Sequence, residues 1–194
     1  ITLGTSWVYR FLETDELVAN CHKLPQKKFV KELLSVDEIN QSLCATVELI
    51  RSINPSVNFI FTVSPVRHTK DGFIENTQSK AHLIAAIHQV VDTRKQRYFF
   101  PSYELMMDEL RDYRFYNDDM LHPSTHAIRY IWDKFQKVWM TEKTIDISNR
   151  VGQIQSKKAH QPFNPNSEAH RSFLDKLDND INVLQSEVPN IKFD

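Results

Sequence analysis

Glycine is scarce: only Gly4, Gly72 and Gly152 occur in 194 residues, against an average usage of roughly 7%. A Rossmann or P-loop phosphate cradle needs several glycines within one short segment, so both are excluded. Cys21 and Cys44 are the only cysteines, too few for a disulfide scaffold or a four-cysteine zinc site. They predict two reduced thiols in a cytoplasmic protein. An excess of one charge is also missing, since 24 basic against 25 acidic residues leave a formal net charge of -1. That balance speaks against a nucleic-acid or anionic-membrane binder. No apolar run approaches the ~18 residues that span a bilayer, and no basic-then-apolar leader opens the chain. What remains, 41% hydrophobic and 25% charged residues, is the composition of a globular chain long enough to bury a core.

The pattern along the chain predicts alternating strands and helices. Ile1-Thr2-Leu3 reads like the end of a strand running into Gly4, with a further piece of the protein expected upstream. Apolar residues roughly alternate over 7–12 and 17–19 about the polar Thr14-Asp15-Glu16, which predicts a β-hairpin followed by a loop containing Pro25. Ser35-Val36-Asp37-Glu38 is a capping box ahead of Ile39, Leu43, Val47 and Ile50, one helical face that Asn54-Pro55 ends. The run 57–63 reads as a buried parallel strand, 64–76 as a polar loop, 77–91 as a helix and 98–100 as another short strand. Strand, helix and strand make a parallel crossover.

Residues 104–110 read as a short helix and 111–121 as an irregular loop rich in Asp and Tyr. Pro123 suits the first position of a helix over 123–139 carrying Ile128, Ile131, Trp132 and Phe135. Residues 161–165 form a linker to a last helix with Phe173, Leu174, Leu177, Ile181 and Leu184, too short for a coiled coil and expected to pack on the domain. Trp132, Phe135, Trp139 and Met106-Met107 are read as core.

In an open α/β sheet, ligands bind beyond the carboxyl ends of the strands. Three loops leave strands there: Gly4-Thr5-Ser6, residues 64–68, and the loop ending in Asp119-Met120-Leu121-His122-Pro123. A carboxylate three residues before a histidine can hold the ring Nδ1 and leave Nε2 free as a base. The alternative for Asp119 and His122 is a surface turn with a helix cap. Arg67 and His68 follow the central strand directly and either face the same crevice, for an anionic or carbohydrate substrate, or form a solvated loop. Cys21-His22 does not read as a catalytic pair, because adjacent residues on an extended segment point to opposite faces. His122 and His126 lack the intervening glutamate of a zinc-protease helix, so no metal site is assigned, and a metal-assisted hydrolase using Asp119, His122 and His126 ranks third.

The stretches Leu3-Gly4-Thr5-Ser6-Trp7-Val8-Tyr9, Val18-Ala19-Asn20-Cys21-His22-Lys23-Leu24-Pro25, Thr62-Val63-Ser64-Pro65-Val66-Arg67-His68 and 108–116 resemble the GSCFA-domain family, grouped with the SGNH (GDSL-like) hydrolases. The resemblance continues through Asp119-Met120-Leu121-His122-Pro123-Ser124 and into Pro162-Phe163-Asn164-Pro165. It implies a three-layer α/β/α, flavodoxin-like domain with a mostly parallel sheet over 1–140, and a C-terminal helical tail over 141–194. It also implies that Asp119 and His122 match the aspartate and histidine of an SGNH triad. The Gly-Ser-Cys-Phe-Ala signature that should hold the serine does not occur between Ile1 and Asp194, so the nucleophile is expected upstream.

A rival placement makes Ser6 the nucleophile of a Gly-Asp-Ser-like opening. It ranks lower, because residues 7–12 alternate like a strand and Thr5 replaces the usual aspartate. In the other placement Gly4-Thr5-Ser6 matches the Gly-x-Asn block whose donors hold the oxyanion in relatives, with Ser6 where asparagine would stand. The expected activity is hydrolysis of a small-molecule or carbohydrate ester without a cofactor; the alternative is a non-catalytic binding module of the same fold.

Overall fold

A computed structural model describes residues 1–18, 20–21 and 23–193. It divides into two compact units, Ile1–Trp132 and Asp133–Asp194.

The first unit is mixed α/β. Strands β1 (Thr2–Leu3), β5 (Phe59–Val63) and β6 (Arg97–Phe99) form a parallel sheet in the order β1-β5-β6. A second, antiparallel sheet has the order β3-β2-β4, from β2 (Trp7–Phe11), β3 (Glu16–Val18) and β4 (Phe29–Leu33). Its first two strands are the expected hairpin, with Asp15 in the left-handed region at φ 58°. Ala19, the expected end of that hairpin, lies outside the described residues, as does His22 of the Cys21-His22 pair.

Strand β4 corrects the loop expected after Pro25. Phe29-Val30-Lys31-Glu32-Leu33 shows little apolar contrast. Its extended form is fixed by partners across the sheet: Arg10 grips Glu32 at 2.9 Å, and the Phe29 and Phe11 rings meet at 5.2 Å.

Helix α1 (Val36–Ile53) starts on the expected capping box: Ser35 Oγ accepts from Glu38 N–H while the Glu38 carboxylate accepts from Ser35 N–H at 2.8 Å. Helix α2 (Phe73–Val90) links β5 to β6. It begins four residues before the expected start, because Gly72 at φ 118° turns the chain into a helix whose first residues, Phe73 and Ile74, are exposed and show no apolar stripe. Ile39, Leu43 and Val47 of α1 and Leu83, Ile87 and Val90 of α2 pack with Phe59, Phe61 and Val63 of β5 into the main core. The two in-between residues of β5, Ile60 and Thr62, are only half-buried, so this strand is fully buried on one face, not on both as its apolar run implied.

After β6 comes α3 (Ser102–Glu104), continued by a π-helical turn over Leu105–Glu109. Helix α4 (Thr125–Trp139) starts two residues later than expected. Pro123 pairs with Tyr116 in an isolated β-bridge, and Ser124 caps the helix, its Oγ accepting from Ala127 N–H. Ala127 is buried with Met106 and Leu110, and Ile131 packs against them as expected, whereas Ile128 and Trp132, expected on the same stripe, are exposed.

In the second unit, within the expected helical tail, helix α5 (Glu142–Lys158), to which the sequence reading gave no bounds, pairs with α6 (Glu168–Glu187). Ile154, Leu177 and Leu184 form their core, and Arg150 reaches Glu187 at 2.6 Å. No helix among the described residues is long and apolar enough to cross a membrane.

Candidate active site

The loop before α4 is built around one carboxylate. Asn117 N–H donates to His122 O at 2.8 Å and Met120 N–H to Asn117 O at 2.9 Å, closing a tight turn in which Met120 takes φ 58°. Asp119 Oδ1 accepts from the amides of Leu121 (2.8 Å) and His122 (2.9 Å), and Oδ2 lies 2.6 Å from His122 Nδ1. These bonds stabilise the ionised form, chiefly the His122 amide, then its ring, then the Leu121 amide, and hold the Asp119 carboxyl down at about 2. An ionised carboxylate only accepts, so in the neutral imidazole Nδ1 carries the proton and Nε2 presents a lone pair. The His122 side chain is 57% exposed, open to a reacting partner.

The carboxyl ends of β1 and β5 are held by a buried cation. Lys80 of α2, 2% exposed, donates from Nζ to Gly4 O and to Ser64 O, each at 2.7 Å, with its ammonium 5.8 Å from the Tyr103 ring centroid. In the β1–β5 ladder Thr62 N–H donates to Ile1 O and Ser64 N–H to Leu3 O. The next rung of a parallel ladder would run from Thr5 N–H to Ser64 O. Lys80 donates to that oxygen instead, and among the described residues the Thr5 amide donates to no protein acceptor. Burial lowers the Lys80 pKa to about 8.

His68 lies beside this clamp. Its Nε2 is 3.2 Å from where a Cβ on Gly4 would stand, so the ring uses the space that glycine leaves. Its own amide donates to Asn76 Oδ1 at 2.8 Å. Burial lowers the His68 pKa, the Lys80 and His122 charges push it the same way, and Asp71 opposes them.

Residues 1–135 of this chain match the GSCFA family. The chain belongs to that family. Residues 151–194 match the C-terminal domain of GSCFA domain proteins, within the unit that holds α5 and α6. No curated protein and no solved structure matches the chain.

The other expected site residues of this GSCFA chain divide sharply. Arg67 belongs with the Asp119 turn: its amide donates to Leu121 O at 3.1 Å, its Nη1 to Met120 O at 3.2 Å, and its guanidinium lies over the rings of Phe73 and Tyr116. Ser6 is committed elsewhere. It is 2% exposed, its amide and hydroxyl both reach Ser79 Oγ (2.8 and 3.1 Å), and its backbone carbonyl accepts from Leu34 N–H. Thr5 Oγ1 shares Ser79 at 3.0 Å. His126 stacks on Phe115, and among the described residues no three His, Cys, Asp or Glu side chains gather as a metal site.

Sequence reasoning missed Asn76, Ser79 and Lys80, although a signal was present. Extending the Leu83, Ile87, Val90 stripe back by threes and fours reaches these three polar residues on the core face of α2. Polar groups on a buried face must have partners, and here the partners are the strand ends.

Proposed function

We propose that this protein is the acid-base half of an SGNH-type serine hydrolase acting on an ester, in an α/β/α domain whose sheet gains a further layer over the half-buried Ile60 and Thr62 face. The observation that carries the reading is the bond between Asp119 Oδ2 and His122 Nδ1 at 2.6 Å, on a loop at the carboxyl end of the parallel sheet. The nucleophile in this reading is the serine of the Gly-Ser-Cys-Phe-Ala signature, a motif that residues 1–194 do not contain. His122 Nε2 takes the serine proton as the oxygen attacks the acyl carbon. It then passes that proton to the departing alkoxide, and a water attacks the acyl-enzyme by the same route. Asp119 stays ionised throughout and steadies the imidazolium. The Thr5 amide, left unpaired where the ladder ends, and the Gly4 amide beside it are the donors for the oxyanion.

A second reading, a binding module of the same fold, is favoured by one observation: Ser6, where relatives carry an asparagine, spends its hydroxyl on Ser79. The two readings separate in p-nitrophenyl acetate hydrolysis by the chain carrying its signature segment. The hydrolase reading expects activity that His122→Ala lowers on the order of 10²–10⁴-fold. Activity that His122→Ala leaves intact contradicts it, and no activity on any ester favours the binding module.

A further inference from the structure

A cleft of about 340 Å³ opens beside the Asp119 turn, within the size range of small-molecule sites. Phe73 of α2, Tyr103 of α3, Met106 and Leu110 behind it, and Tyr116 give it an apolar wall. Arg67 lines it too, and Arg67 also lines an adjoining cleft with Asp119 and Leu121. The other charged groups around it are already paired, Arg111 with Asp108 at 2.9 Å and Asp112 with Arg114 at 3.8 Å. Arg67 has no carboxylate within salt-bridge distance among the described residues. Its guanidinium is held at 5.6 and 5.8 Å from the Phe73 and Tyr116 ring centroids, half-buried and fixed by its bond to Met120 O.

Two of the smaller polar lining groups are already engaged. Asn76 Oδ1 is taken by the His68 amide at 2.8 Å, and the Thr77 hydroxyl donates to Phe73 O at 2.9 Å. An apolar body loses nothing polar against Met106, Leu110 and the rings, while one negative charge would answer Arg67 with a charge-assisted bond.

We infer that this cleft binds a small organic anion with an apolar body, and that the ester substrate belongs to that class. The substrate half of this inference rests on the hydrolase reading; the binding half does not.

Titration calorimetry with straight-chain carboxylates, octanoate first, tests it without turnover. Octanoate is expected to bind saturably, with octanol at least tenfold weaker and affinity falling roughly fourfold for each methylene removed. Arg67→Gln is expected to lower octanoate affinity about tenfold or more while leaving octanol unchanged. Phe73→Ala, at a 70% exposed position where folding is not at stake, is expected to weaken both ligands several-fold. No saturable octanoate binding, or binding that ignores charge and Arg67→Gln alike, overturns the inference. Octanoate binding by a protein that hydrolyses no ester would leave the cleft assigned and remove only the catalytic reading. Ester hydrolysis without octanoate binding would do the reverse.

Discussion

Asp119 accepts two backbone amides on one oxygen and an imidazole on the other, so protonating it would cost the charge that strengthens all three bonds. Its carboxyl is therefore expected to titrate at about 2 by carboxyl-carbon NMR, below the ordinary aspartate value of ~3.9. By linkage, a depressed folded-state pKa gives stability that is complete above the ordinary carboxylate range and lost as pH falls through about 2. A midpoint near 4 would mean that the turn is not formed in solution. Lys80 works in the opposite direction. The folded protein releases its proton at about 8 and the unfolded chain only near 10.5, so the unfolded state binds more protons between these values and stability rises with pH across them. Urea unfolding from pH 8 to 10.5 is expected to show that rise in the wild type and to lose it in Lys80→Met. The same substitution removes the lysine donor from Ser64 O, and amide exchange at Thr5 is expected to slow as its N–H takes up the rung. Exchange that stays fast in Lys80→Met would show that the lysine does not end the ladder.

Helices and strands were legible where local chemistry decided them and obscure where distant partners did. The capping box at Ser35 and the Ile39, Leu43, Val47 stripe placed α1 from adjacent residues alone. The start of α2 was hidden, because exposed Phe73 and Ile74 continue no stripe and the turn into the helix depends on a φ of 118° at Gly72. An alanine there is strained whatever space it finds, and its Cβ would run into the Glu75 carboxylate. Gly72→Ala is expected to cost about 1–3 kcal/mol in urea unfolding. A cost near zero would mean that the α2 start relaxes freely. Strand β4 was missed for a related reason. β4 is defined by its pairing with β2, whereas α5 did carry a signal that was passed over: Thr141 caps it, and Ile147, Val151 and Ile154 recur at spacings of four and three on the face that packs in this unit's core. The partner of α5 is equally specific: Leu184 of α6 is fully buried in their shared core, and Leu184→Ala is expected to destabilise that unit by about 2–5 kcal/mol.

Over the whole molecule, the parallel order of β1, β5 and β6 brings their carboxyl ends, and the loops that leave them, to one end of the sheet. Gly4 closes β1, Ser64 to His68 leave β5, and the Asp119 loop is tied to them through Arg67. The Asp119–His122 pair was readable because both partners lie within one turn. The clamp from Lys80 to Gly4 spans 76 positions and the Ser6–Ser79 contact spans 73, separations that no local pattern encodes. Residues 1–135 match the GSCFA family, and the hydrolase reading asks that a nucleophilic serine meet His122 at this sheet end. The most direct measurement is labelling with a fluorophosphonate, which captures a serine only when a base activates it. The protein bearing the Gly-Ser-Cys-Phe-Ala segment is expected to take up one label on that serine and to lose it in His122→Ala. A protein that takes no label, or keeps it in His122→Ala, would contradict the account.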